Sequence, residues 1–585
     1  MNRPRLIDPV SLEVVRGRTQ TISDEMLNGL VRSSFSAVIK ENADASTAIF
    51  DARGQCIVQS GIPILLGTLF AAVNEVLADF PVAKMVAGDI YATNDPYRGG
   101  THIPDLILFS PIFVKDRVVA LSVTIAHHRD VGGRVPGSAP VDSTEIFQEG
   151  VRIPPIRLFE AGRPNDAILT VMRANSRLPD MISGDVDAQI GACLIGERRI
   201  REMVEEFGVD ETLDMFDELL DRSERLTRGR LSALPPGRYE FEDYLDNDGV
   251  DLDRMIPIKV AVTIGDGEVV VDFTGSSPQV RGPVNAPSSV SLAAAFFVVR
   301  CVTDSSISSN SGCLRPIKVI TPPGSVVNPQ FPAPVNARSI MFCLLVDAIF
   351  GAFAKAAPGK VPACGYDFPL VHFGGLDRHK KPFVFSEIGT GGYGARSHRD
   401  GIDVYRSKNG NALSMPTETT EMDFPVRIST VCIRKDSGGA GRFRGGLGYT
   451  KIYQALTDGV TVSMRGDRHR TGPWGLDDGK PGEPSLTEVI RRDGTRFNIP
   501  SKQVFRMNTG DSLVIHSAGG GGYGSPLERP VTAVVADVLD HKISRESAAT
   551  KYGVIIDEGN HVVNEADSSR DRARCAQEMS AEGKR

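Results

Sequence analysis

The sequence predicts a multidomain α+β protein with an N-terminal mixed α/β region, a central α+β region and a β-rich C-terminal region. Three observations predict it. The chain has 585 residues, more than one ordinary hydrophobic core encloses, so two to four domains are expected. Helical and strand-like periodicities interleave as far as Met422, the pattern of an α+β protein. Beyond Met422 short apolar strands and glycine-rich turns take over. The punctuation Leu234-Pro235-Pro236-Gly237 marks a boundary. The expected regions are therefore 1–235, 236–422 and 423–563. A polar tail, 564–585, has few apolar anchors and is expected to be mobile.

Val15, Ile22, Met26 and Leu30 fall on one face of a helix, predicted over Ser11–Lys40. An extended pattern follows, with Ala48–Phe50 and Cys56–Gln59 flanking a turn that contains Gly54. A helix is predicted over Leu66–Phe80. Leu106–Val114 and Val118–Ala126 then form a hairpin around Lys115-Asp116, rich in β-branched and apolar residues. The outer ends of that hairpin are Asp105 and His127, so these two side chains are expected to approach each other. Helical spacing dominates from Pro164 to Leu234. In the centre, Lys259–Ile264 and Glu268–Phe273 surround Gly265-Asp266-Gly267, and Ser289–Val302 and Ser339–Phe353 read as buried helices. A last helix is predicted over Thr532–Leu539.

Composition narrows the function. Apolar residues are 41% and charged residues 24% of the chain, as in a soluble globular protein. The formal charge of −7 is spread without a basic stripe, so neither nucleic acid nor an anionic membrane is an expected partner. The two apolar windows carry Arg300 and Asp347 and are short for a membrane span. The opening residues lack the apolar stretch of a secretory signal, and a cytoplasmic location is expected. Eight dispersed cysteines contain no C-x-x-C pair, which disfavours a zinc ribbon.

The densest polar constellation is Asn94-Asp95-Pro96-Tyr97-Arg98-Gly99-Gly100-Thr101-His102-Ile103-Pro104-Asp105, followed by His127-His128-Arg129-Asp130-Val131-Gly132-Gly133. Clustered His and Asp are candidate ligands for zinc, manganese, iron or cobalt rather than calcium. Pro104 disfavours a helix through His102 and Asp105, so they must converge by a turn. Adjacent strand residues face opposite ways, so only one of His127 and His128 can face such a site. Other signals are weaker. Gly519–Gly524 satisfies G-x-G-x-x-G, but Pro526 follows where a dinucleotide-binding helix should start. Neither a G-x-x-x-x-G-K-[ST] phosphate loop nor a G-x-S-x-G nucleophile elbow occurs.

Lys40-Glu41-Asn42-Ala43-Asp44, NDPYRGGTHIPD, AHHRDVGG, PGSAP and STEIFQEGVRIPP resemble, in that order, the hydantoinase B/oxoprolinase family. The likeness continues through PAPVNAR (332–338), GGYGAR (391–396), SGGAGRFRGGLG, GPWGLDDGKPG and AGGGGYGSPLERP, nearly the whole chain. The resemblance implies a divalent metal, zinc or manganese first, held by Asp44, His102, Asp105 and His127. Ala45 stands where an aromatic often follows the Asp44 position. It further implies a hetero-oligomer in which a hydantoinase A-type partner binds ATP and Mg and phosphorylates a carbonyl or amide oxygen. The substrate would be a small cyclic amide such as a hydantoin, 5-oxoproline or a lactam. Two alternatives stand beside this reading: ATP-dependent carboxylation of a ketone, and a non-catalytic scaffold for the partner. The four ligand positions argue against the scaffold. Asp130 and Glu145 are the candidate proton acceptors, and Arg98 and Arg129 the candidate oxyanion or phosphate partners.

Overall fold

A computed structural model describes residues 7–366, 369–405, 414–559, 562, 572 and 574, and it has the expected α+β architecture. The N-terminal region opens with α1 (Pro9–Ser33), whose buried face includes Val15, Ile22, Met26 and Leu30. Asp8 caps it by accepting from Ser11 N–H at 2.9 Å, and Pro9 occupies the first turn, where a missing N–H costs nothing. The single helix expected to Lys40 is broken at Ser34–Ser36, and α2 is Ala37–Lys40. The cause is a buried carboxylate: Asp185 Oδ1 accepts from Phe35 N–H at 2.7 Å and from Ser36 N–H at 2.9 Å, drawing those donors out of the helical ladder.

Next come β1 (Ala45–Asp51), β2 (Cys56–Gly61), α3 (Pro63–Asp79), β3 (Ile90–Thr93), β4 (Asp105–Val114), β5 (Arg117–His127), β6 (Ile156–Glu160) and β7 (Arg163–Pro164), then α4 (Asp166–Asn175), α5 (Pro179–Phe207) and α6 (Val209–Ser232). The strands form one sheet in the order β2-β1-β5-β4-β3-β6-β7. The central β4–β5 hairpin turns at Lys115, φ 54°, and is buried on both faces. Val119, Ala120, Ala126 and Ile49 pack toward α1 and α5, while Leu121, Val123, Ile125, Phe50 and Ile107 join α3.

The central region contains β8 (Gly237–Leu245), β9 (Ile256–Gly265), β10 (Glu268–Asp272), α7 (Ser288–Val302), α8 (Ser311–Leu314), β11 (Ile317–Ile320) and α9 (Arg338–Ala356). Its sheet runs β11-β10-β9-β8. By length and composition α9 is apolar enough to cross a membrane, longer than the window read from the sequence, yet 89% of its apolar window is buried. Helices α3, α7 and α9 meet in one core with both sheets, so apolar packing runs across the expected 235/236 boundary.

The remaining elements are β12 (Leu370–Leu376), β13 (Pro382–Ile388), α10 (Thr417–Asp423), β14 (Val426–Ile433), β15 (Tyr449–Ala455), β16 (Val460–Arg465), β17 (Leu486–Ile490), β18 (Arg496–Asn498), β19 (Lys502–Met507), β20 (Ser512–His516), α11 (Val531–Leu539) and α12 (Arg545–Tyr552). Two sheets, β13-β12-β16-β19 and β14-β15-β20-β17-β18, share a core that includes Phe373, Phe385, Tyr453, Val462 and Leu513. The first of these sheets joins strands from either side of residue 422, so main-chain hydrogen bonds cross the 422/423 boundary. Glycines of 438–448 and 519–522 serve close approach rather than positive φ. A Cβ on Gly445 would stand 1.9 Å from Gly520 O, and one on Gly519 1.8 Å from Ser437 O. No nucleotide-binding helix follows Gly524; a short 3₁₀ turn at Pro526–Glu528 does. The expectation for 564–585 falls outside the described residues except at Arg572 and Arg574. Arg572 is buried and donates to Tyr552 O at 2.9 Å and Arg529 O at 2.8 Å.

Candidate metal centre

The site grows from the open end of the β4–β5 hairpin. Asp105 and His127 are the outermost register pair, and opposed residues of antiparallel strands project to the same face. Asp105 Oδ1 lies 3.1 Å from His127 Nδ1. His102 reaches the same carboxylate through a turn in which Asp105 N–H donates to His102 O at 3.1 Å, and its Nδ1 lies 2.9 Å from Asp105 Oδ2. The two imidazoles stack with centroids 4.9 Å apart. One donor atom from each of the three residues lies within 4.8 Å of the others.

Charge suits a cation here. Burial, and then the Arg338 guanidinium, push His102 down to about 3, leaving a neutral imidazole with a lone pair to offer. Burial opposes ionisation of Asp105, but the imidazoles and Arg338 around it hold it well below the usual carboxylate range. Arg338 Nη2 donates to Asp105 Oδ2 at 2.6 Å and lies 3.1 Å from His102 Nδ1, and Thr101 Oγ1 donates to the same Oδ2. Oδ2 is thus held from two sides, while Oδ1 faces His127. Two imidazoles and a carboxylate fit a transition-metal ion. Asp44 adjoins them through its backbone, its carbonyl accepting from His127 N–H at 3.1 Å.

His128 turns to the other side of the strand, with Nε2 2.9 Å from Gln189 Oε1. The remaining predicted residues are dispersed. Asp130 is buried and accepts from the N–H groups of Gly132, Gly137 and Arg177 and from the Arg177 guanidinium, at 3.0–3.1 Å. Glu145 is exposed at the start of the Ile146–Gln148 turn. Arg98 pairs at the surface with Glu75 and Asp79 of α3. Arg129 is buried, with its guanidinium over the Phe424 ring at 5.2 Å.

Residue-by-residue reading missed two groups that build the site. Arg338 begins α9, after the N-cap Ala337 that follows PAPVN; a lone arginine opening so apolar a helix was the available signal. Glu149, four residues after Glu145, is the buried acid of its segment. Its carboxylate accepts from Val335 N–H at 3.1 Å, Asn336 N–H at 3.0 Å and Ser143 Oγ at 2.8 Å, tying this loop to the approach to Arg338. Burial pushes Glu149 up to about 8 against those donors.

Known proteins share this framework. The family model described as Hydantoinase B/oxoprolinase matches residues 8–526. The chain is 33% identical over 575 residues to the B-type subunit of a putative D-/L-hydantoinase from Pseudomonas sp. (strain NS671), covering 95% of this chain and 96% of the relative. It is 32% identical over 581 residues to the beta subunit of the caprolactamase from Pseudomonas jessenii, covering 97% and 99%. The 5-oxoprolinase of Dictyostelium discoideum, 29% identical, is matched over 88% of this chain but only 40% of its own length. Among solved structures, the ATP-dependent caprolactamase from Pseudomonas jessenii superposes with a TM-score of 0.90 at 31% identity, covering 97% of this chain and 100% of that one. An acetone carboxylase in its nucleotide-free state gives a TM-score of 0.89 at 20% identity, covering 98% and 84%, a likeness of fold. With the family model matched over residues 8–526 and two relatives above 30% identity aligned over nearly their whole length, the chain belongs to the hydantoinase B/oxoprolinase family.

Proposed function

We propose that this chain is the metal-containing B-type subunit of a cytoplasmic, hetero-oligomeric, ATP-dependent cyclic-amide hydrolase. It acts on a hydantoin, 5-oxoproline or lactam whose amide oxygen has been phosphorylated by a hydantoinase A-type partner that holds ATP and Mg. The observation that carries the reading is the His102–Asp105–His127 group, with His102 and Asp105 buried and His127 partly so, on a chain aligned almost end to end with single subunits of a hydantoinase and a caprolactamase. The shared stretch is less than half of the longer 5-oxoprolinase, which leaves room there for an ATP-handling half.

Bound by Asp44, His102, Asp105 and His127, zinc or manganese would supply Lewis acidity toward a substrate oxygen. The residues do the positioning. Arg338 and Thr101 fix one oxygen of Asp105, so the carboxylate cannot rotate away from the imidazoles. Burial of His102 and Asp105 excludes bulk water and raises the strength of every charge interaction in the site. Asp130 organises the Gly132–Gly137 loop beside it, a supporting role rather than proton transfer.

The test is reconstitution with an A-type partner and ATP, following ring opening and phosphate release for each amide class. Ring opening coupled to phosphate release supports the proposal. Bicarbonate-dependent consumption of a ketone without ring opening would replace it with the carboxylase reading. Substoichiometric metal after purification without chelator would favour the scaffold.

A further inference from the structure

The sheet β13-β12-β16-β19 uses only one face in the C-terminal core. Val371, Phe373, Val462 and Met464 fill that core. The alternate residues face the other way: His372 pairs with Ser386 and Ser463, and Leu370 with Arg465, so His372, Ser386, Ser463 and Arg465 share the second face. This face is covered by the N-terminal region. Ser463 Oγ donates to Ala139 O at 2.6 Å, and a Cβ on Gly137 would stand 2.7 Å from His372 Nδ1. Arg465 Nη1 donates to Asn336 O at 2.7 Å, two residues before Arg338.

Positive charge here outweighs its compensation. Among the described residues, Arg129 Nε and Nη2, Arg465 Nε and His372 Nε2 are buried without a hydrogen-bond partner. Burial and then the repulsion of Arg338 push Arg465 down to about 9, against Glu149 and Asp105. Burial lowers His372 well below its ordinary value, as do the charges of Arg465, His127, Arg129 and His102, which also places it within electrostatic reach of the metal centre. Buried donors without acceptors are costly, and guanidinium groups are matched to phosphate oxygens.

We propose that His372, Arg129 and Arg465 form an anion subsite beside the His102–Asp105–His127 group, and that its ligand is a phosphoryl group. The phosphoryl identity rests on the proposed action on a phosphorylated amide; anion binding does not. Ser386 Oγ, 2.7 Å from His372 Nδ1, donates to that nitrogen, leaving Nε2–H to meet the anion. Arg129 and Arg465 then fix the phosphoryl oxygens while the amide carbon lies toward the metal ligands.

The probe is inorganic phosphate, titrated calorimetrically into the full-length, chelator-treated chain at constant ionic strength, with chloride as control. Phosphate is expected to bind and raise Tm where chloride does not. Arg129→Gln and Arg465→Gln should each weaken Kd at least tenfold; where either fails to fold, the Lys variant, which keeps charge and loses the fork, should weaken it severalfold. His372→Gln places an amide near the Nε2 position and should retain binding, whereas His372→Asn keeps the Ser386 contact and should lose it. Absence of phosphate binding, equal binding by both His372 variants, or indifference to both arginine variants would overturn the subsite. Failure of the reconstituted complex to open any cyclic amide, with phosphate binding intact, would remove the hydrolase reading and leave the subsite standing.

Discussion

Asp105 and His127 face each other across the last register pair of the β4–β5 hairpin, carboxylate Oδ1 to imidazole Nδ1 at 3.1 Å. The next residue, His128, faces Gln189 instead. This alternation makes an asymmetric prediction. His102→Ala, Asp105→Ala and His127→Ala should each release most of the metal, whereas His128→Ala should retain it with a smaller loss of activity. Elemental analysis of the purified variants checks it; an empty site in His128→Ala beside a full one in His127→Ala would reverse the assignment and shift the strand register by one residue.

That hairpin shows how much was legible from sequence. Two runs of β-branched residues, a polar turn and two clusters flanking the outer ends were enough to bring Asp105 to His127. Strand periodicity likewise located the β9–β10 hairpin, and apolar runs located α7 and α9. What sequence did not show were partners supplied from far along the chain. Arg338 meets Asp105 across 233 positions, and Asp185 breaks the first helix from 149 positions away. His372 and Arg465 were hidden because each follows the ordinary alternation of its strand, His372 between Val371 and Phe373 and Arg465 after Met464, and local spacing carries no sign of which sheet face will meet another domain.

The loop that carries Glu149 should be a stability determinant. Its carboxylate satisfies two buried N–H groups and a hydroxyl, and leaving such donors unpaired costs about 1–3 kcal/mol each. Glu149→Ala should therefore lower the urea midpoint of unfolding clearly, and Glu149→Gln, which keeps one acceptor oxygen, by less. Equal midpoints for wild type and Glu149→Ala would show that water takes over all three bonds.

Nucleotide hydrolysis should be absent from the isolated chain, since no phosphate loop occurs in the sequence and the G-x-G-x-x-G segment is packed glycine backbone rather than a strand-to-helix turn. Adding the A-type partner should restore it. Substantial ATPase activity that persists in the isolated chain through further purification would contradict the two-component reading.

His469 separates stability from metal binding. It is partly buried, with Nδ1 3.0 Å from Asp467 O and Nε2 3.0 Å from Thr487 Oγ1, and shares no site with the metal ligands. Burial pushes it down to about 4 from an ordinary value of 6.5; Lys502 and Arg434 act in the same direction, while the Asp467 carbonyl and carboxylate oppose them. The folded state thus prefers the neutral ring. Between pH 6.5 and about 4 the unfolded chain binds a proton that the folded chain refuses, so this contribution is complete above 6.5 and is lost as pH falls through the window. His469→Gln keeps a polar contact for Thr487 but cannot titrate. Its unfolding midpoint should fall less steeply than that of the wild type from pH 6.5 to 4, and the two curves should run parallel above pH 7. Its metal content, and that of His516→Ala, should equal the wild type. Parallel curves throughout would mean that His469 is protonated in the folded protein, and loss of metal from either variant would place a ligand in the C-terminal half.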